Sequence, residues 1–110
     1  MTFDDYQKQA LTTAVHHPNP EMDKSIFAMG IAGEAGEVIE KWKKIVAYRE
    51  GKVTEEDLAE ISKELGDVLW YIAVFADQLG LSMGDIAQLN AEKLASRKAR
   101  NVIKGQGDNR

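Results

Sequence analysis

The sequence contains no cysteine. That absence removes disulfides, thiolate metal sites and cysteine nucleophiles together, and argues against a small secreted scaffold held by cross-links. Histidine is almost as scarce. His16 and His17 are the only two, and neither belongs to a Glu-x-x-His pair of the kind that di-iron helical bundles use. Proline occurs only at Pro18 and Pro20, so the chain is strongly punctuated once. No apolar run approaches the roughly 18 residues needed to cross a bilayer. Met1 to Tyr6 is acidic and polar, unlike a signal peptide. A cytoplasmic protein without a membrane partner is the expectation. Val, Ile and Thr never alternate with polar residues long enough to make a strand. The net charge of −4 argues mildly against a duplex nucleic-acid partner.

What remains is the material of a helical globular domain: 110 residues, 44% hydrophobic and 29% charged. We read residues 1–104 as one domain and 105–110, rich in glycine and without periodicity, as a flexible tail. So short a chain leaves much of its surface exposed, which favours a homo-oligomer, dimer or tetramer. Phe3, Tyr6, Ala10, Leu11 and Ala14 recur at helical spacing and predict a first helix from about Phe3 to His16. A second helix, capped by Asp23 or Ser25, carries Phe27, Ile31, Val38, Trp42 and Ile45 and ends near Arg49-Glu50-Gly51. Thr54 with Asp57 three residues on resembles a capping box that opens a third helix reaching Gly80. Ser82 opens a fourth, through Ile86, Leu89 and Leu94 toward Val102. The fold class is all-α, a four- to five-helix bundle.

Acidic residues mark two of these helices. With Glu34 set at zero on a wheel of about 100° per residue, the apolar stripe of the second helix falls at roughly 20° to 80° and Glu37 near −60°. With Glu64 at zero, Ile61, Val68, Ile72, Phe75 and Leu79 fall in the same range, and Asp67 again near −60°. If the stripes share a core, four carboxylates converge at its margin, where repulsion and lost hydration cost several kcal/mol each. Lys41 and Lys63 point elsewhere in this reading, so the offset has to come from a cation. A set of oxygen donors without His or Cys suits Mg²⁺, with Mn²⁺ as a substitute, rather than Zn²⁺. A single Glu-x-x-Glu is usually a solvated helix face; two on successive helices, both in register with the core stripe, are not explained that way. Gly33, Gly36 and Gly66 lie beside the acids within helices, where each costs about 1 kcal/mol relative to Ala. They predict close helix approach or room for a ligand.

Gly33-Glu34-Ala35-Gly36-Glu37 followed by Glu64-Leu65-Gly66-Asp67-Val68 resembles the paired signature of the MazG-like, all-α nucleoside triphosphate pyrophosphohydrolases. The resemblance runs from about Tyr6 to Arg100. It departs from many relatives at the start of the first motif, where Gly33 precedes Glu34 in place of paired acids. The resemblance implies that Glu34, Glu37, Glu64 and Asp67 hold Mg²⁺ and serve catalysis. It implies that Tyr71 meets the nucleotide, and that Asn90, Lys93 and Arg97 meet its phosphates. The implied substrate is a (deoxy)nucleoside triphosphate, cut to monophosphate and pyrophosphate by water attacking the α-phosphorus. A phosphoribosyl-ATP or dUTP-specific enzyme of the same superfamily would share the acids. A non-catalytic helical interaction module would carry them only as surface charge. Trp42 reads as core or pocket wall, and Trp70, away from the apolar stripe, as a contact with a neighbouring subunit. Lys93, Arg97, Lys98, Arg100 and Lys104 form a basic stretch with no acid among them.

Overall fold

The computed structural model describes residues 1–110 as four helices and no strand. Helix α1, Phe3–Leu11, starts with a capping box in which the Thr2 hydroxyl accepts from the Asp5 amide and the Asp5 carboxylate accepts from the Thr2 amide. It ends earlier than its periodicity predicts. Thr12 and Thr13 turn their hydroxyls back onto the carbonyls of Gln9 and Ala10, at 2.6 and 3.0 Å, and so satisfy the helix end. Helix α2, Pro20–Arg49, is capped by Asn19, whose side chain accepts from the amides of Glu21 and Met22. The expected caps are displaced by four and six residues, because Pro20 is pre-set for the first helical position and needs no amide partner there. Glu50 and Gly51, both at positive φ, end α2. Helix α3, Glu55–Gln78, opens with the Thr54–Asp57 capping box, and α4, Met83–Ala99, is capped by Ser82.

Helices α2 and α3 form an antiparallel hairpin. Their cross-contacts run from Arg49–Asp57 at the tip, through Lys41–Glu64, to Phe27–Trp70 at the base. Helix α1 packs on α3, and α4 on α1. The core therefore lies at the base, built from Ala10, Phe27, Ala73, Val74 and Met83 with Tyr6, Leu69, Trp70, Tyr71 and Phe75 around them. The deepest residues of α3 are Ala73 and Val74, not the expected Ile61–Leu79 stripe, because α3 is covered from two sides and small side chains admit α1. Leu79 of that stripe is exposed, as are Leu58 and Leu65 beside it.

Gln7 ties three elements together. Its buried amide donates to the carbonyls of Ala73 and Leu81, each at 3.0 Å, and its carbonyl accepts from the Met83 amide at 3.1 Å. Asp23 does similar work for the segment before α2. This buried carboxylate accepts from the His17 amide at 2.7 Å and the Gln78 side chain at 2.7 Å, and meets His16 Nδ1 at 2.8 Å. The His17 amide is the largest cause holding its carboxyl below the usual carboxylate value.

Three expectations about packing are corrected. Trp70 packs within its own chain: its ring sits edge-on to Tyr71 and its indole N–H donates to Thr13 Oγ1 at 2.8 Å. The wheel placed it away from the α2-facing stripe, and that direction is where α1 lies. Trp42 is 46% exposed, not core. Close helix approach occurs at Gly30, where an added Cβ would lie 2.1 Å from Tyr71 Cε1, and not at Gly33, Gly36 and Gly66, where an added Cβ would meet nothing within 4 Å and the other expectation, open room beside the acids, stands.

Candidate metal centre

The carboxylates gather midway along the hairpin, between the base core and the open tip. Ligand oxygens of Glu34, Glu64 and Asp67 all lie within 4.8 Å of one another. Two helical facts produce this. Glu64 and Asp67 are three residues apart and share a face of α3, and antiparallel pairing sets Glu34 of α2 opposite them. Glu34 and Glu64 are half-buried and Asp67 is exposed. Glu34 carries the electrostatic signature of the group. Lost hydration pushes its carboxyl above the usual glutamate value, and the charges of Asp67, Glu64 and Glu37 push it further in the same direction. Glu37 is exposed and is not among the three whose oxygens converge, though its charge acts on Glu34.

The donor set fits a hard divalent ion. Oxygens on opposite sides of a Mg²⁺ ion are about 4.2 Å apart, twice a metal–oxygen distance of about 2.1 Å. Three oxygens all within 4.8 Å of one another are close to the span of ligands on one ion, so modest side-chain movement would bring them onto it. Carboxylate oxygen without imidazole or thiolate favours Mg²⁺ or Mn²⁺ over Zn²⁺.

Two residues near the acids escaped the sequence reading. Lys41 does not point away: its Nζ lies 3.6 Å from Glu64 Oε1 and 3.9 Å from Glu60 Oε2. It offsets part of the negative charge on the α3 side. Antiparallel pairing of α2 and α3 was the only signal for it. Tyr6 of α1 approaches Asp67, and burial, followed by that charge, raises its phenol above the ordinary value. Nothing local in the sequence marked Tyr6 as more than an apolar helix position. Lys63 pairs with Glu60 at 3.0 Å, away from the trio, as expected.

The remaining candidates occupy other surroundings. Tyr71 is half-buried over Gly30, between Phe27 and Trp70. Asn90 is exposed on a groove lined by Phe3, Ile72, Met83 and Ile86. Lys93 and Arg97 converge on one oxygen, Oδ1 of Asp108, at 3.1 and 3.2 Å. That acid belongs to the tail just past the basic stretch.

The MazG nucleotide pyrophosphohydrolase domain profile matches residues 24–102, which include the acid trio. The chain belongs to the MazG nucleotide pyrophosphohydrolase family. It is also 43% identical over 114 residues to the Gene 37 protein of Mycobacterium phage L5, with both chains covered in full. No solved structure matches it. The all-α architecture is that of the MazG domain.

Proposed function

We propose that this MazG-family chain is a Mg²⁺-dependent hydrolase that converts (deoxy)nucleoside triphosphates to monophosphates and pyrophosphate. The observation that carries the reading is the convergence of Glu34, Glu64 and Asp67 from two helices, where lost hydration and the neighbouring acids raise the Glu34 carboxyl. Glu34, Glu64 and Asp67 hold the ion, with Glu37 adjacent. Held there, Mg²⁺ would neutralise triphosphate charge and make a neighbouring water more acidic. A carboxylate of the group accepts the proton from the water that attacks the α-phosphorus in line. Lys93 and Arg97 offset charge on the departing pyrophosphate, and Tyr71, one turn beyond Asp67, lies beside the nucleotide.

We extend the proposal to a homo-oligomer. The chain exposes 8012 Å², where a compact monomer of its 12.2 kDa exposes roughly 6,100 Å². Its radius of gyration is 17.0 Å, against about 13 Å for a compact chain of this length. Ile39, Val46, Leu58 and Leu65 of the hairpin are among the large apolar side chains left exposed. Patches of this kind mark association surfaces.

Product analysis decides the chemistry. A panel of canonical and modified triphosphates with Mg²⁺ yields monophosphate plus pyrophosphate under this reading, and Asp67→Asn abolishes the yield. Diphosphate plus phosphate, or full turnover in Asp67→Asn, would overturn it.

A further inference from the structure

The tail following α4 is folded back on the helix. Asn101 takes a left-handed φ of 58°, and Gly105 and Gly107 have φ of 155° and 84°. Arg110 closes the loop by donating to the carbonyls of Val102, Ile103 and Gly107, and Arg100 donates to the Arg110 carbonyl at 2.7 Å. This closure presents Asp108 to α4. Lys93 Nζ donates to Asp108 Oδ1 at 3.1 Å, and Arg97 Nη2 donates to the same oxygen at 3.2 Å and to the Asp108 carbonyl at 2.7 Å.

The partners in this contact are unequally placed. The Arg97 side chain is 6% exposed, whereas that of Asp108 is 81% exposed. A guanidinium offers five N–H donors in a fixed fork. Here Nη2 makes both bonds, while Nε is buried with no partner. Leaving a buried donor unmet is unfavourable, and an ion pair to a solvent-exposed carboxylate is weak. The site therefore has more donor capacity than its occupant uses. A phosphate group carries more acceptor oxygens and charge than a carboxylate and can engage both lysine and the arginine fork. Hydrogen bonds from Lys93 and Arg97 keep Asp108 below the usual carboxylate value, so it is an anion at neutral pH.

We propose that Asp108 is an internal stand-in for phosphate: the folded-back tail holds its carboxylate on Lys93 and Arg97, and a polyphosphate ligand must displace it. The proposal rests on the reading of Lys93 and Arg97 as phosphate contacts and adds a built-in competitor to them. Displacement frees the tail from α4, so occupancy by polyphosphate and release of residues 105–110 are coupled.

Calorimetric titration of the full chain with inorganic pyrophosphate, in EDTA, tests this without turnover. Asp108→Asn binds pyrophosphate about two- to fivefold more tightly than wild type, and Asp108→Glu stays near wild type. Lys93→Gln binds more weakly than wild type. Thermal unfolding of each variant checks that the fold is kept. Equal or weaker binding by Asp108→Asn would show a purely structural tail contact and overturn the proposal. Hydrolysis of triphosphates without pyrophosphate binding by any of these proteins would overturn it while sparing the hydrolase reading. Tighter binding by Asp108→Asn in a chain that hydrolyses no triphosphate would uphold the displaced anion and sink the hydrolase reading instead.

Discussion

Replacing Gly30 with alanine tests the packing one helical turn from the carboxylate cluster. The added Cβ would lie 2.1 Å from Tyr71 Cε1 and 2.2 Å from Cδ1, against a comfortable carbon–carbon contact of about 3.5 Å or more. The ring has to retreat by more than about 1 Å. It cannot do so freely, because Phe27 flanks it and Trp70, anchored to Thr13, meets it edge-on at 5.0 Å. Overpacking of this kind costs about 1–3 kcal/mol. Alanine in a helix returns about 1 kcal/mol, so the net loss centres on about 1 kcal/mol, or a fall in Tm of about 4–8 °C. Gly33→Ala, where nothing lies within 4 Å, keeps only the gain and should melt higher than wild type. Thermal and urea unfolding at one fixed protein concentration measure both. A double-mutant cycle with Tyr71→Ala isolates the cause: without the ring, Gly30→Ala becomes stabilising, with a coupling of about 1–3 kcal/mol. A Gly30→Ala penalty that persists in the Tyr71→Ala background would refute the clash as its origin.

Three further outcomes follow from the charges and surfaces. Mg²⁺ or Mn²⁺ raises Tm, by an amount equivalent to about 2.7 kcal/mol once the ion is 100-fold above its Kd, and EDTA reverses the rise; Glu34→Gln melts higher than wild type without metal and loses the response. Asp23, with its folded pKa lowered chiefly by the His17 amide, adds stability that is present above the unfolded carboxylate value and lost as pH falls through the folded one. Melting curves from pH 7 downward should thus show a wild-type advantage over Asp23→Asn that shrinks in acid, whereas a constant gap would mean its charge is irrelevant. Sedimentation of the full chain gives a dimer or larger species, and Leu58→Lys or Leu65→Lys shifts it toward monomer; a wild-type monomer would remove the oligomer from the proposal.

Features encoded within one or two turns were readable from the residues alone. Thr54 and Ser82 cap helices through contacts three residues away, and Glu34, Glu64 and Asp67 kept the register that the wheel assigned them. Features that depend on a third element were not. Trp70 was sent outward because a two-helix wheel has no place for α1. The same omission hid Ala73 and Val74 as the deepest points of α3 and Tyr6 as a neighbour of Asp67. Gly30 resembles Gly33 in sequence, and only the position of the Tyr71 ring separates them. At the start of α2, Asn19, Asp23 and Ser25 are all plausible caps; the constraint of Pro20 was the cue, and Asp23 serves the preceding loop instead.

The hairpin geometry makes the protein unequally tolerant of added length. One residue inserted into α2 between Glu34 and Arg49 would rotate Glu34 by about 100° against its counterparts and carry it about 1.5 Å along the axis, scattering the oxygens. The same residue inserted at 50–54, beyond the last turn of α2, would only widen the bend, since loop closure grows costlier very slowly with length. Cargo sequences, tags or natural extensions can thus enter at the tip without retuning the carboxylate cluster, whereas either helical arm behaves as a ruler whose markings cannot be shifted.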